Sequence, residues 1–503
     1  MPDTGELFPG RIATRLFGLA PDRDERAPQL CQEALLTLAL NGYEQAAGAE
    51  LRTSPKRERF ALRSLVLGSN FLVGVDAGRA GDDDTTPQLY GARLASGDEM
   101  PGSANLALAR QALEGLIDPD TRKGQNGGWL LFPFHESLLW YDARRRGATW
   151  RAQQVWMRGG GITIARLLCD PPPGTQSAQL GADAVSALRG VLKAASPLAE
   201  IADHLERPLA EVRLGAETGV QDAEQTAWEL GGKPELALLA ERLCRDAEGI
   251  LNQGGASAPA KLWQLRSILA LDVALHALKA SWHATGTPRE EQFLLLSFAG
   301  APRAENRIRQ RSEASFANAR IRLQEAILVE LSAGIRRLAA NESPNWQEHF
   351  VSRRGNLADQ IRELEAGGLS DEEYDRLGRE IASDGYDRPI GGFQGLIQTA
   401  GLLAGTGQYR YLTLTPELFS ALVGALSDRM PMPSDEFFDA VYEEWGLVIG
   451  QTAAARTAIG REIDGAQLVR NARRAEQQLS DSGLALSLSD RTTVVGERAR
   501  RAP

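Results

Sequence analysis

Apolar residues recur along this chain mainly at the three- and four-residue spacing of helices, with short runs and alternations suited to strands only in places. The clearest helical pattern covers residues 258–283. There Leu262, Leu265, Ile268, Leu269, Val273, Leu275 and Leu278 fall on more than one face, which predicts a central buried helix. Further helices are expected at about 28–48, 104–117, from His135 onward, and at 178–195, 198–214, 235–251, 288–298 and 305–340. The last is arginine-rich in its first half and apolar in its second, so the first half is expected to be wet and the second packed. Strands are expected at 60–67, 71–76 and 129–134, where β-branched and aromatic residues cluster. Residues 159–169 suit either a strand or a short helix. A long mobile loop is expected from Gly78 to Ser103.

Beyond this point the punctuation is sharper. Ser370 with Glu373 fits a capping box that opens a helix. The chain then reads as helix (about 390–404), strand (409–414), a helix from Thr415-Pro416, a break at Met430-Pro-Met-Pro433, a helix from Ser434, and a strand at 447–450. That closing order of strand, helix, helix and strand is compatible with a winged-helix-like unit. The tail beyond 480 has no apolar period and is expected to be disordered. The fold class is therefore mainly α and multidomain. Residues 1–175 form an α/β N-terminal domain closed by the linker Asp170-Pro-Pro-Pro-Gly174, and 176–345 form a central helical domain. Residues 346–480 form a helical plus winged-helix-like α+β domain, and 481–503 form the tail.

A chain of 503 residues, 43% hydrophobic and 24% charged, is long enough for two to four cores and has the balance of a folded protein. Cys31, Cys169 and Cys244 are far apart and form no CxxC pair, so neither a disulfide framework nor a zinc site is encoded. No basic-then-apolar leader and no membrane-length apolar run appear, and a cytoplasmic location is expected. The net charge of −10 argues against a protein whose whole surface coats nucleic acid. Of the 56 basic residues only six are lysines, so arginine supplies nearly all the local positive charge.

Catalytic signatures are sparse. There is no GxxxxGK[ST] loop, HExxH helix, GxSxG elbow or EF-hand spacing. Gly159-Gly-Gly161 offers a backbone nest for an anion but carries no lysine. Phe71-Leu-Val-Gly-Val-Asp-Ala-Gly78 resembles the first strand of actin-like ATPases and RuvC-type nucleases. In those proteins an apolar strand ends in an aspartate that handles metal-bound phosphate, which implies that role for Asp76. The continuation Arg79-Ala-Gly departs from that pattern, and no second carboxylate strand is evident. Asp82, Asp83 and Asp84 read as a solvated acidic loop. His135-Glu136 follows a strand end, where catalytic groups often sit, but also suits a tryptophan-rich core. No metal site and no cofactor are expected.

Two arginine stretches stand out. Arg144, Arg145, Arg146, Arg151 and Arg158 are interleaved with Trp150 and Trp156, a pattern in which guanidinium groups hold phosphates while rings stack on bases. Arg303, Arg307 and Arg311 fall at i, i+4 and i+8 of one helix and form a positive stripe. Either stretch can bind nucleic acid, or it can pair with the chain's own carboxylates or an acidic partner.

The block from Tyr409 to Phe419, YRYLTLTPELF, and the block from Asp435 to Gly450, DEFFDAVYEEWGLVIG, resemble the ends of uncharacterised bacterial proteins from antiphage-defence clusters. That resemblance implies a non-catalytic subunit working beside an ATPase or nuclease. The expected function is thus a scaffold or recognition subunit of a bacterial multiprotein complex, with DNA or RNA contacted through the arginine stretches and no membrane partner. The alternative is a metal-dependent nuclease or phosphotransfer enzyme using Asp76.

Overall fold

In the computed structural model, the residues described are 13, 16–18, 25–40, 142–146, 149–153, 160–169, 171, 177–192, 234–298, 306–340, 370, 372–373, 376, 388–488 and 492–496. Among them the protein is mainly helical, with a few short strands. Several expectations lie outside the described residues. These are the strands at 60–67, 71–76 and 129–134, the loop from Gly78 to Ser103, the helices at 104–117, from His135 and at 198–214, and the candidates Asp76, Asp82 to Asp84, His135, Trp156, Arg158 and Arg303.

The chain divides into two compact units: residues 26–225 with 240–269, called the inner unit below, and residues 1–25, 226–239 and 270–503, called the terminal unit. In the inner unit α1 (Ala27–Leu40) packs on α2 (Gly160–Cys169), which packs on α3 (Ser177–Leu192). The segment at 159–169 is thus a helix, not a strand. A hairpin of β1 (Asp142–Arg146) and β2 (Thr149–Gln153) also belongs to this unit. Gly161 permits the closeness of α1 and α2. A Cβ there would lie 2.5 Å from the Leu30 carbonyl oxygen and 2.6 Å from the Ala34 amide nitrogen.

Helices α4 (Pro234–Asn252) and α5 (Ala258–Ala284) each have residues in both units. On α5, Leu262, Leu265, Ile268, Leu269, Val273, Leu275 and Leu278 are all buried, as their all-round distribution requires.

The terminal unit continues with β3 (Leu294–Leu295), α6 (Arg307–Ala340), α7 (Arg388–Ala400), β4 (Leu403–Ala404), β5 (Tyr411–Leu412), α8 (Pro416–Ala425) and β6 (Met432–Pro433). It closes with α9 (Ser434–Trp445), β7 (Leu447–Val448), α10 (Gln451–Ala455), α11 (Gly465–Asp481), β8 (Ala485–Ser487) and β9 (Thr493–Val495). Local chemistry sets several of these ends. Thr415 caps α8, its hydroxyl oxygen accepting from the Leu418 amide at 3.3 Å, with Pro416 in the first turn. Gly446 ends α9 in the left-handed region, with φ 71°, a conformation glycine adopts without a Cβ clash. At Ser370 the Glu373 carboxylate accepts from both the Ser370 amide and its hydroxyl at 2.7 Å, the reciprocal half of the expected capping box.

Three expectations are corrected here. Residues 288–298 do not form a helix: a 3-10 turn at Arg289–Glu291 leads into β3, because Leu294, Leu295 and Leu296 are a short, fully buried apolar run. The first half of α6 is not simply wet, since Ile308, Ser312, Phe316 and Ala319 are buried while Ile321 and Val329 farther along are exposed. The segment beyond 480 is not a disordered tail through 496: Leu484, Ala485 and Val495 are buried and the segment forms β8 and β9.

Sheet pairing follows from that last point. β6, β9 and β8 form an antiparallel sheet with β9 in the centre. The two strands that the sequence placed in one C-terminal unit belong to different sheets: β5 pairs antiparallel with β4, and β7 pairs in parallel with β3. Around the β3–β7 pair a core forms from Leu295, Ile308, Val448, Ala453, Ala454, Ile459, Ile463 and Leu468.

Asn471 locks α11 to this core. Its Nδ2 donates to the carbonyls of Leu296 and Ile449, each at 3.0 Å, and its Oδ1 accepts from the Phe298 amide at 2.8 Å. Nearby, the Ser312 hydroxyl donates to the Leu412 carbonyl at 3.0 Å and accepts from the Leu412 amide at 2.8 Å, tying α6 to β5.

Candidate functional site

Helix α11 has the strongest one-sided chemistry among the described residues. Leu468, Asn471, Ala475 and Leu479 recur at helical spacing and are buried. The opposite side is exposed and holds Arg470, Arg473, Arg474 and Gln477, at i, i+3, i+4 and i+7. The burial of one side therefore forces the arginines outward.

These three guanidinium groups have no ion-pair partner among the described residues. The carboxylates of the same helix are engaged elsewhere: Asp464 accepts from the Ala466 amide at 3.2 Å, Glu476 from the Ser434 hydroxyl at 2.6 Å, and Asp481 from Gln477 Nε2 at 2.7 Å. Other arginines from 416 to 488 are paired: Arg429 with Glu444 at 2.9 Å, Arg456 with Asp439 and Glu443 at 3.2 and 3.0 Å, and Arg461 with Glu290 at 2.6 Å. The acidic side chains of α9 are thus partly neutralised by Arg429 and Arg456, whereas Arg470, Arg473 and Arg474 of α11 have no ion-pair partner among the described residues. Burial raises the Asp439 carboxyl above its ordinary value in spite of Arg456 beside it.

The stripe expected on α6 is different. Arg303 lies outside the described residues, and Arg307 is exposed. Arg311 pairs with Glu462 at 2.9 Å, and Arg322 pairs with Glu325 at 2.9 Å and Glu291 at 3.6 Å. Arg309 lies 3.5 Å from Glu313 and stacks over the Tyr411 ring at 4.1 Å. Arg311 and Arg322 line a cavity of about 330 Å³ whose floor includes Trp282, Phe293 and Ile459. Both signs of charge rim it, so it has no preference for an anion.

In the other stretch, the hairpin register sets Arg144 opposite Arg151, Arg145 opposite Trp150 and Arg146 opposite Thr149. The structure thus brings the expected Arg144, Arg145, Arg146, Trp150 and Arg151 together on one two-stranded ribbon.

The triple glycine has a purpose inside the fold. Glu33 of α1 accepts from the Gly161 amide at 2.8 Å, so the anion at the start of α2 is the protein's own buried carboxylate. His276 is satisfied by the Phe17 carbonyl, 2.8 Å from its Nε2. The three cysteines are buried and none of them is in a disulfide, and desolvation, with Cys169 and Glu248 nearby, pushes the Cys244 thiol up to about 12. Its Sγ donates to the Leu167 carbonyl at 3.6 Å. Among the described residues no group of three or more His, Cys, Asp or Glu side chains is placed to hold a metal ion, and no helix is long and apolar enough to cross a membrane.

No protein-family model, curated protein or solved structure matches the chain. Sequence reasoning missed Arg470, Arg473 and Arg474. The signal was present in Leu468, Ala475 and Leu479, whose spacing leaves the run Arg470-Asn-Ala-Arg-Arg474 facing mostly away from the core.

Proposed function

We propose that this protein is a non-catalytic recognition subunit of a bacterial multiprotein complex, and that its C-terminal elements form a winged-helix-like module. The observation that carries this reading is topological. The elements α8, β6, α9, α11, β8 and β9 run helix, strand, helix, helix, strand, strand, and the sheet order β6–β9–β8 sets the last strand between the other two. Such a unit packs a helix on a small twisted sheet and leaves that helix's outer side free to meet a partner. A long connection holding β7 and α10 separates α9 from α11, and it anchors the module through the β3–β7 pairing. The resemblance of the 409–419 and 435–450 blocks to antiphage-defence proteins supports such a setting for the complex, beside an ATPase or nuclease.

The test is isolation of the tagged chain from its native host. Stoichiometric co-elution with other subunits at fixed mass ratio, by light scattering and mass spectrometry, is the expected result. A chain that emerges alone and turns over nucleotide or nucleic acid would overturn the proposal.

A further inference from the structure

We infer that α11 is the surface by which this protein holds duplex DNA, with Arg470, Arg473 and Arg474 on the phosphates. The inference rests on the winged-helix-like reading and assigns that module its ligand. Three guanidinium groups, one helical turn apart or less, share the exposed side of a single helix and lack ion-pair partners among the described residues, although the chain carries a net charge of −10. In a protein with an excess of acid, arginines left without carboxylates point to an anion from outside. Arginine's planar fork meets phosphate oxygens two at a time.

The ligand is a duplex rather than a single strand because the exposed side of α11 has no aromatic ring on which unpaired bases would stack. A helix also fits the major groove, and the opposite side of α11 is held rigidly by Leu468, Asn471 and Leu479, so the arginines are presented on a fixed rod. Gln477 is hydrogen-bonded to Asp481, which leaves arginine as the principal contact. Phosphate contacts without dedicated base readers give binding with little dependence on base sequence.

The experiment is fluorescence anisotropy of a labelled mixed-sequence duplex titrated with the full chain across a salt series. Three phosphate contacts contribute a log–log salt slope of about −2.7, equivalent to about a 40-fold loss of affinity between roughly 50 and 200 mM salt. The triple variant R470Q/R473Q/R474Q is expected to lose that part of the slope, and R470K/R473K/R474K to retain most of it. Circular dichroism checks that both variants are folded. No duplex binding by the wild-type chain at the lowest salt would overturn the inference. So would an unchanged slope in the glutamine variant, tighter binding to the single strand, or displacement of the duplex by polyglutamate at lower concentration than by unlabelled duplex. Failure here with a stoichiometric complex still isolated from the host would sink the DNA contact alone and leave the recognition-subunit reading standing.

Discussion

Replacing Asn471 with alanine tests how α11 is held. The substitution removes three hydrogen bonds at once and leaves the Leu296 and Ile449 carbonyls and the Phe298 amide without that partner. A buried backbone group left unsatisfied costs about 1–3 kcal/mol. Taking the low end for each of three groups gives about 3 kcal/mol, and alanine's better helix propensity returns about 0.5 kcal/mol. The net loss of about 2.5 kcal/mol corresponds to roughly 70-fold faster opening. The assay is amide hydrogen exchange of the β3–β7 ladder, in which the Leu294 and Leu296 amides donate to Gly446 and Val448 at 2.9 Å. Both amides are expected to exchange about 70-fold faster in Asn471→Ala. Gln477→Ala, on the exposed side of the same helix, is expected to stay within about 0.5 kcal/mol of wild type. Unchanged protection at Leu294 and Leu296 would refute the claim that Asn471 anchors the helix.

Three further outcomes are expected. Gly161→Ala sets a Cβ against the α1 backbone and should destabilise the inner unit by roughly 3 kcal/mol, read as a lowered urea midpoint. Truncation after Ser480 removes buried Leu484 and Val495, roughly 4 kcal/mol of apolar burial, and should make residues 416–480 sensitive to limited proteolysis. Because the folded Cys244 thiol titrates near 12 against an ordinary 9.0, the unfolded chain gives up its proton first as pH rises. The inner unit should therefore hold this contribution in full below about pH 9 and lose up to about 1.4 kcal/mol per pH unit above it, a slope that Cys244→Ala removes.

The elements that could be read from sequence were those whose evidence is local. Thr415-Pro416 encodes a helix start by its own hydroxyl and ring, and α5 declares its burial by being apolar all round. The errors arose where long-range pairing decides. Residues 292–296 resemble a helical stretch until Gly446 and Val448 arrive to pair with them across about 150 positions of chain. β8 and β9 are too short to show a period, and only their pairing with each other and with β6 makes them strands. The same holds for the arginines. Spacing identifies Arg307 and Arg311 as a stripe, but only the fold brings Glu462 to Arg311 and leaves Arg470, Arg473 and Arg474 without an ion pair among the described residues.

Arginine footprinting of the full chain with a glyoxal reagent, in the absence and presence of duplex DNA, tests most directly which guanidinium groups meet the ligand. The account predicts that Arg470, Arg473 and Arg474 are modified in the free protein and shielded by the duplex, while Arg307 reacts equally in both. Shielding of Arg307 with continued modification of the α11 arginines would contradict it.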